Sequence, residues 1–536
     1  MTRVLTASDR ALLVEVADLD AAMRLQATLT ADPPPGVVEL VPAARTVLVR
    51  FDPRIVSAGA LGARLAAAAS PGAAAAGQSG APAVVEIPVV YDGADLAEVS
   101  ARLGVGADEL VARHVAATWR VAFTGFAPGF GYLVGDDPLF DVPRRASPRT
   151  RIPAGSVALG GAFAGVYPRA SPGGWQLIGR TDAVMWDVRR DPPALLVPGG
   201  RVRFVRVAAA AVVPTHNAVA RVAAAAAPAV PAAQAVEVVA PGVQLTLQDA
   251  GRAGRAALGV SPSGAADRGA LHRANRAVGN APGEAALEVA VGGAVLRFGG
   301  LGVVALAGAT LPAAIVRHDG SALDLAPEQP AGVCAGDELR LGFATAGVRA
   351  VIAFRGGFAV EPVLGSLSSD TLGGISAGPA LRPGATLTLR GPAAAPYAVD
   401  PGAVPPAAPP APGEAIELRV TLGPRDDWFT PAGVRALFDQ EWTVTPRSDR
   451  VGVRLHGPTP LERATPGELP SEGVVTGAIQ VPADGQPVLF LPDHPLTGGY
   501  PVIGAVIDAD LDLAGQLPPG ARVRFRLSEP IVGGPS

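Results

Sequence analysis

Short runs of alternating apolar and polar residues, broken repeatedly by Gly or Pro, set the pattern of this chain. Alternation reads as half-buried strand, and apolar residues three and four apart read as amphipathic helix. Ala11 to Val16 and Thr46 to Phe51 predict strands, with an amphipathic helix between them from Asp18 to Leu29. Asp18 or Asp20 would cap that helix. From Ala83 to Phe204 short strands dominate, with one helix from Ala107 to about Thr118. After Val236 many short apolar strands follow, such as Ala294–Phe298, Val303–Leu306, Thr386–Leu389 and Ile416–Leu422. Gly/Pro turns at that spacing favour barrels or sandwiches. The main helix there runs from Ala265 to Val278.

Three Ala/Gly/Pro-rich segments interrupt the pattern: Ala66 to Pro82, Ala208 to Gln234 and Ala394 to Gly413. They read as linkers or exposed loops. A length of 536 residues calls for about three or four cores. We therefore expect a small α+β unit (1–75), a β-domain (83–206), a linker (207–234), a first β-barrel domain of the second half (235–393), a Pro-rich linker or loop (394–413) and a last β-domain (414–528). The halves also repeat. Gly173-Gly174-Trp175-Gln176-Leu177-Ile178-Gly179 matches Gly498-Gly499-Tyr500-Pro501-Val502-Ile503-Gly504. The strand Pro198 to Phe204 matches Pro519 to Phe525. Ala154-Gly155-Ser156 is paired with Ser471-Glu472-Gly473 as the upstream turn. Matches in one order imply a duplicated, barrel-like domain.

Composition narrows the function. Net charge is only −4, so nucleic acid and anionic membrane are not expected partners. One cysteine, Cys334, excludes an internal disulfide and a Cys-cluster metal site. Neither a signal peptide nor a spanning helix is apparent, which reads as cytoplasmic. The chain has no lysine. It can therefore hold no Walker A loop and no Schiff base, and it cannot carry biotin covalently.

Several clusters could carry chemistry. Gly125 to Leu133 combines glycines with three aromatic rings, and His114 lies shortly upstream. That is either an aromatic structural loop with a surface His, or a pocket with a general acid–base. Arg144-Arg145 to Arg149 is either a solvated basic loop or a carboxylate or phosphate clamp. Arg180 and Thr181 could hold an anion beside Trp175. In the second half Ser263 reads as a helix N-cap, with Asp267 in the first turn suiting the helix dipole. Asn275 is unusual inside a helix. Asp449-Arg450 is a surface ion pair or a substrate contact near the Gln480-containing Gly-rich rim.

On these residues the first half resembles the B-type subunit of bacterial 5-oxoprolinase, also known as allophanate hydrolase subunit 1 or the sporulation kinase inhibitor family. The resemblance rests on Glu86 to Tyr91, His114, Gly125 to Leu133, Pro153 to Val157 and Ser171 to Thr181. The second half resembles the C-type subunit of the same enzyme. It does so through Gln248-Asp249, Gly251-Arg252, Gly264, Asp267, Ala274-Asn275, Gly279-Asn280, Leu287-Glu288, Ser448 to Arg450, Gly477 to Pro487 and Thr497 to Pro501. The same modules form the carboxyltransferase region of biotin-dependent urea carboxylase.

The resemblance implies a mainly β fold with α+β: duplicated cyclophilin-like β-barrel domains, preceded by a small α+β N-terminal domain. It also implies ATP, taken with Mg2+, as the activator of 5-oxoproline, which water then opens to glutamate. The separate A-type subunit of 5-oxoprolinase is the implied partner. The alternatives are carboxyl transfer from biotin to a urea-like amide, and regulatory binding to a histidine kinase. A small-molecule amide is the expected substrate, and self-association is left open. His114 and Asp449 would transfer protons, and Arg180 and Arg450 would hold phosphate or carboxylate. Phe130, Trp175 and Tyr500 would wall the pocket, with Thr181, Asp267, Asn275 and Gln480 as further substrate or ATP contacts. No metal ligand set is expected. The chain departs from the family at Leu367, in place of Arg, at Ser369, in place of Thr, and at Gly384-Ala385, where a Gly-Asp turn is usual. An anion contact at Leu367 is thereby lost.

Overall fold

The structure, a computed structural model, describes residues 2–70, 84–145, 147, 149–208, 235–391, 408–467 and 469–528. Most of the two later expected linkers lies outside them, as does much of the first. The N-terminal unit is a four-stranded antiparallel sheet, ordered Arg3–Ser8, Ala11–Glu15, Thr46–Phe51, Val37–Pro42. The helix Leu19–Ala31 buries Ala22, Leu25 and Leu29 at helical spacing, and the Asp18 carboxylate caps it at the Ala21 N–H. A second helix, Ala58–Ala68, buries Leu61 and Leu65. The hydrophobic pattern does not mark it, because its remaining positions are mostly Ala and Gly.

Two seven-stranded sheets share one cyclic strand order. In the first half it runs Gln176–Arg180, Ser156–Gly160, Phe163–Val166, Gly131–Gly135, Trp119–Thr124, Arg201–Arg206, Val84–Val89. Reciprocal 2.9 Å hydrogen bonds between Val90 and Arg180 join its two ends. The second is a closed barrel of Val502–Val506, Ala478–Gln480, Val488–Phe490, Gly452–His456, Trp442–Val444, Arg522–Leu527 and Ala415–Leu422. Each holds its terminal strand parallel to its first.

The equivalence reaches single atoms. Trp119 Nε1 donates to the His114 carbonyl at 3.0 Å, and Trp442 Nε1 donates to the Leu437 carbonyl at 3.0 Å, each five residues back. The upstream turn of the repeat needs correction. Gly155 and Gly477 are the matching positions. Their φ values are +77° and +87°, and an added Cβ would strike the Thr181 or Val506 carbonyl. Only glycine tolerates that turn. Ala154-Gly155-Ser156 thus corresponds to Thr476-Gly477-Ala478. Glu472–Gly473 instead pairs with Thr497–Gly498, as Arg149–Ile152 pairs with Ser171–Gly173.

Between the barrels lies a unit of two facing sheets, one of six strands and one of five, rather than a closed barrel. The helix Arg268–Val278 packs on the smaller sheet through Ala270, Leu271, Ala274 and Val278. Its N-cap is Asp267, which accepts from the Ala270 N–H at 2.7 Å, and not Ser263. Ser263 instead bonds to Asp493 at 2.6 Å. The N-terminal unit docks on the second barrel. Ala44 N–H donates to the Ser471 carbonyl, and Arg425 pairs with Glu15 at 3.1 Å. This wraps the chain so that the loops of the two barrels face each other.

Candidate functional site

The two glycine pairs sit on matching two-stranded ribbons, one from each barrel, on opposite sides of a cavity of about 280 Å3. One wall is a cluster of edge-to-face rings. Phe130 contacts Tyr132 at 5.1 Å, Tyr167 and Trp175 each at 5.3 Å, and Phe126 at 5.4 Å between centroids. The opposite wall is the Thr497–Tyr500 segment with Gln480 and Ser471. The Gln480 amide is aimed by one bond, in which Nε2 donates to the Tyr500 carbonyl at 3.2 Å. The Arg463 guanidinium lies 5.8 Å from the Tyr500 ring centroid. Arg144 reaches across from the first half and donates to Ser471 Oγ at 3.2 Å. Burial pushes the Tyr167 hydroxyl well above its usual range, so it stays neutral.

The glycines keep this space open. A Cβ on Gly173 would sit 2.5 Å from Tyr167 Oη, and one on Gly160 would sit 2.7 Å from the Trp175 ring. The cavity thus pairs an aromatic cage with a guanidinium and a side-chain amide. Small-molecule sites characteristically combine an apolar lining with a few fixed polar groups.

Four of the residues expected at a site meet here: Phe130, Trp175, Gln480 and Tyr500. The others lie elsewhere. His114 is fully buried in the core of the first barrel, its ring 4.5 Å from Phe204 and 4.9 Å from Trp119. Desolvation lowers its pKa to about 3. It is neutral at neutral pH, with Nδ1 2.8 Å from the Tyr91 hydroxyl and Nε2 unpartnered. Its equivalent in the second barrel is Leu437, an ordinary core residue. Asp449 is exposed and closes its own turn at the Val451 and Gly452 N–H groups. Arg180 pairs with Asp92 at 2.9 Å on the surface, and Thr181 caps the Ala183 N–H at 3.1 Å. Asp267 caps its helix and accepts from Gln516 at 2.8 Å. Asn275 bonds the Glu284 carbonyl and accepts from Asn280, fixing the loop after the helix.

Arg450 is not at the surface. It is fully buried, bonded to Asp493 at 3.0 and 3.1 Å, to the Gly264 carbonyl at 2.6 Å and to Glu288. Asp493 also accepts from Ser263 and from the Thr371 N–H and hydroxyl. Burial alone would raise its pKa, but the Arg450 charge and these donors hold it below the usual range. The network joins the central unit to the second barrel. Leu367 is likewise explained: its side chain enters the core of the central unit, and its N–H donates to Asp249 at 2.7 Å. Asp249 also accepts from the hydroxyls of Ser366 and Ser368.

Three polar residues of the site are absent from the expected set. Arg144 stands out in the sequence only as part of a basic cluster, whose other members Arg145 and Arg149 turn away to Asp95. Ser471 appears there only within a turn, and Thr497 only within the matching motif. A second cavity of about 200 Å3 lies among Asp9, Arg10, Arg268 and Asp508. Asp508 there pairs with Arg10 at 3.0 Å and with Arg268 at 2.8 Å, and Asp9 accepts from the Asp508 N–H at 3.1 Å. Among the described residues, no group of His, Cys, Asp or Glu is placed to hold a metal, and no helix is long and apolar enough to cross a membrane.

Comparison with known proteins agrees with this architecture. Residues 2–196 match the carboxyltransferase domain, subdomain C and D, and residues 258–527 match the carboxyltransferase domain, subdomain A and B. The first half is similar to the 5-oxoprolinase B subunit of Escherichia coli O157:H7, at 52% identity over 124 residues, 23% of this chain and 57% of that protein. The chain thus spans a little over half the length of that relative. The second half is similar to the 5-oxoprolinase C subunit of Escherichia coli K12, at 34% identity, covering 54% of this chain and 90% of that one. It is also 35% identical to urea amidolyase of Lachancea kluyveri over 54% of this chain and 17% of the relative. The crystal structure of TTHA0988 superimposes with a TM-score of 0.79 at 35% identity, covering 96% of this chain and 99% of that one. The chain belongs to the carboxyltransferase-domain family, with a half like the B-type 5-oxoprolinase polypeptide fused ahead of a half like the C-type one.

Proposed function

We propose that the chain is the fused B–C component of an ATP-dependent 5-oxoprolinase, which opens 5-oxoproline to L-glutamate together with a separate A-type subunit. The observation that carries this reading is the composite cavity, in which Arg144 and Gln480 face an aromatic cage. A carboxylated lactam needs a guanidinium for its carboxylate, an amide partner for its ring N–C=O, and apolar walls for its methylenes. Arg144 takes the first role, Gln480 the second, and Phe130 with Trp175 the third. Bound ATP would supply a phosphoryl group to the lactam oxygen, making the ring carbon open to water. The residues here orient the amide and screen it from bulk solvent. The cavity's donors are cationic or neutral, which fits an anionic amide and not Mg2+, a cation that takes carboxylate oxygens. On this reading the nucleotide's metal would bind outside this cavity.

A second reading, carboxyl transfer to a urea-like amide, is favoured by the similarity to urea amidolyase. It would use the same cavity, and carboxybiotin would come from another chain because this one has no lysine.

The test is turnover of the purified chain with the A-type subunit, 5-oxoproline and ATP, following ADP and glutamate. Equal release of both is expected. Arg144→Met is expected to raise KM for 5-oxoproline by about tenfold or more, the scale of a lost charge-assisted hydrogen bond. No turnover in that mixture, or urea-dependent use of carboxybiotin instead, overturns the reading.

A further inference from the structure

Phe126 forms part of the aromatic wall, yet its backbone sits at φ +62°, in the left-handed region. A non-glycine residue there needs an external hold. Part of that hold is the loop's own turn, in which the Ala127 N–H donates to the Gly125 carbonyl at 2.6 Å, and part comes from the other half of the molecule. Thr497 Oγ1 accepts from the Phe126 N–H at 3.1 Å and lies 3.4 Å from the Tyr132 hydroxyl. Thr497 is only 2% exposed, so the bond is not exchanged for water. The neighbour is shaped for it: a Cβ on Gly125 would fall 2.7 Å from Thr497 Cγ2 and closer still to Oγ1. Thr497 is also paired with Gly473 in the ribbon that carries Gly498-Gly499-Tyr500 on the facing wall. One hydroxyl therefore ties both walls together.

We propose that Thr497 is a positioning residue for this site. Its hydroxyl holds Phe126 in the left-handed conformation that presents the ring to the cavity, so the binding site exists only while the two halves are docked. Without the bond, the part-buried Phe126 N–H loses its partner. The backbone then relaxes to a right-handed or extended form and withdraws the ring. This assignment rests on the cavity being the amide site proposed above.

The test is Thr497→Val, which keeps the shape and removes the hydroxyl, beside Thr497→Ser, which restores it, both assayed with the A-type subunit. Thr497→Val is expected to raise KM for 5-oxoproline by a few-fold to about tenfold, the factor that goes with one lost hydrogen bond. KM for ATP should stay within about twofold, and Thr497→Ser should return KM for 5-oxoproline to about the wild-type value. Amide hydrogen exchange gives a readout that does not depend on the substrate. Exchange at Phe126 should speed up about tenfold or more in Thr497→Val, while core amides of Trp119–Thr124 keep their protection. Gly125→Ala should reproduce the Phe126 effect by displacing the hydroxyl. Unchanged exchange at Phe126 in Thr497→Val overturns the proposal. So does an equal rise of both KM values, or a Thr497→Ser variant as impaired as Thr497→Val. If the wild type does not turn over 5-oxoproline at all, the amide-site reading fails while the exchange result still judges the hold on Phe126.

Discussion

Replacing His114 with Leu should leave the protein about as stable or more stable at pH 7.5 and much less sensitive to acid. The position is core in both barrels: Leu437 occupies it in the second, under the same Trp–carbonyl hydrogen bond. His114→Leu removes a buried, unpartnered Nε2, a group that costs about 1–3 kcal/mol. It gives up one hydrogen bond to Tyr91, worth about 0.5–1.5 kcal/mol. Tyr91 is only partly buried, so water can take over that bond. The balance runs from about 0.5 kcal/mol against Leu to about 2.5 kcal/mol in its favour. The acid effect is larger. Burial lowers the folded-state pKa to about 3, while the unfolded chain titrates near 6.5. Between those values the unfolded state binds more protons, so this contribution is intact above about pH 6.5 and is lost as pH falls toward 3. At pH 5 it amounts to about 2 kcal/mol at ~1.36 kcal/mol per unit. Urea unfolding followed by fluorescence reads it, since Trp119 lies 4.9 Å from the imidazole. Between pH 7.5 and 5.0, His114→Leu should lose about 2 kcal/mol less stability than the wild type. A folded variant with turnover reduced about a hundredfold or more, as loss of a general acid–base would give, would return His114 to the chemistry and overturn its assignment to the core.

Arg450→Met should cost about 3–5 kcal/mol, because Asp493 is left buried without its ion-pair partner and Glu288 keeps only Arg349, at 3.7 Å; a urea midpoint within error of wild type would contradict the network's role. Asp370→Asn should relieve a buried carboxyl whose pKa burial, and then the neighbouring Asp493, raises to about 6. A raised carboxyl favours folding below pH ~3.8 and loses that contribution as pH rises through 6, so the variant should gain up to about 3 kcal/mol on the wild type between pH 4 and 7.5. Parallel pH profiles for the two proteins would dismiss that assignment. Gly160→Ala, whose Cβ would press into the Trp175 ring at 2.7 Å, should destabilise by about 1–3 kcal/mol and weaken 5-oxoproline binding. Calorimetric titration of the variant with the A-type subunit present checks the second effect, and unaltered affinity counts against Trp175 as a wall.

The duplicated barrels and the aromatic side of the site are legible in the sequence because both are written locally. Gly-Gly-aromatic ribbons and alternating strands carry their signal within a few residues, and they single out Phe130, Trp175 and Tyr500, which line the cavity. The polar side is hidden because its partners are distant in sequence. Thr497 meets Phe126 across 371 positions, and Arg450 meets Glu288 across 162. Beside its neighbour Asp449, Arg450 resembles a surface pair or a substrate contact. His114 draws attention because histidine is rare in this chain, but rarity says nothing about burial. Its equivalence to Leu437 emerges only on aligning the helices that precede Trp119 and Trp442, which lie outside the repeated Gly-rich motif. Asn275 similarly looks chemical because asparagine is costly within a helix, whereas that cost is offset by the loop bonds it makes to Glu284 and Asn280.

Whether the seam between the two halves binds 5-oxoproline is decided by a crystal structure of the chain with this ligand and the A-type subunit. The ring should lie against Phe130 and Trp175, with its carboxylate on Arg144 and its amide facing Gln480. An empty seam at saturating ligand, or 5-oxoproline bound elsewhere on the chain, would contradict the assignment.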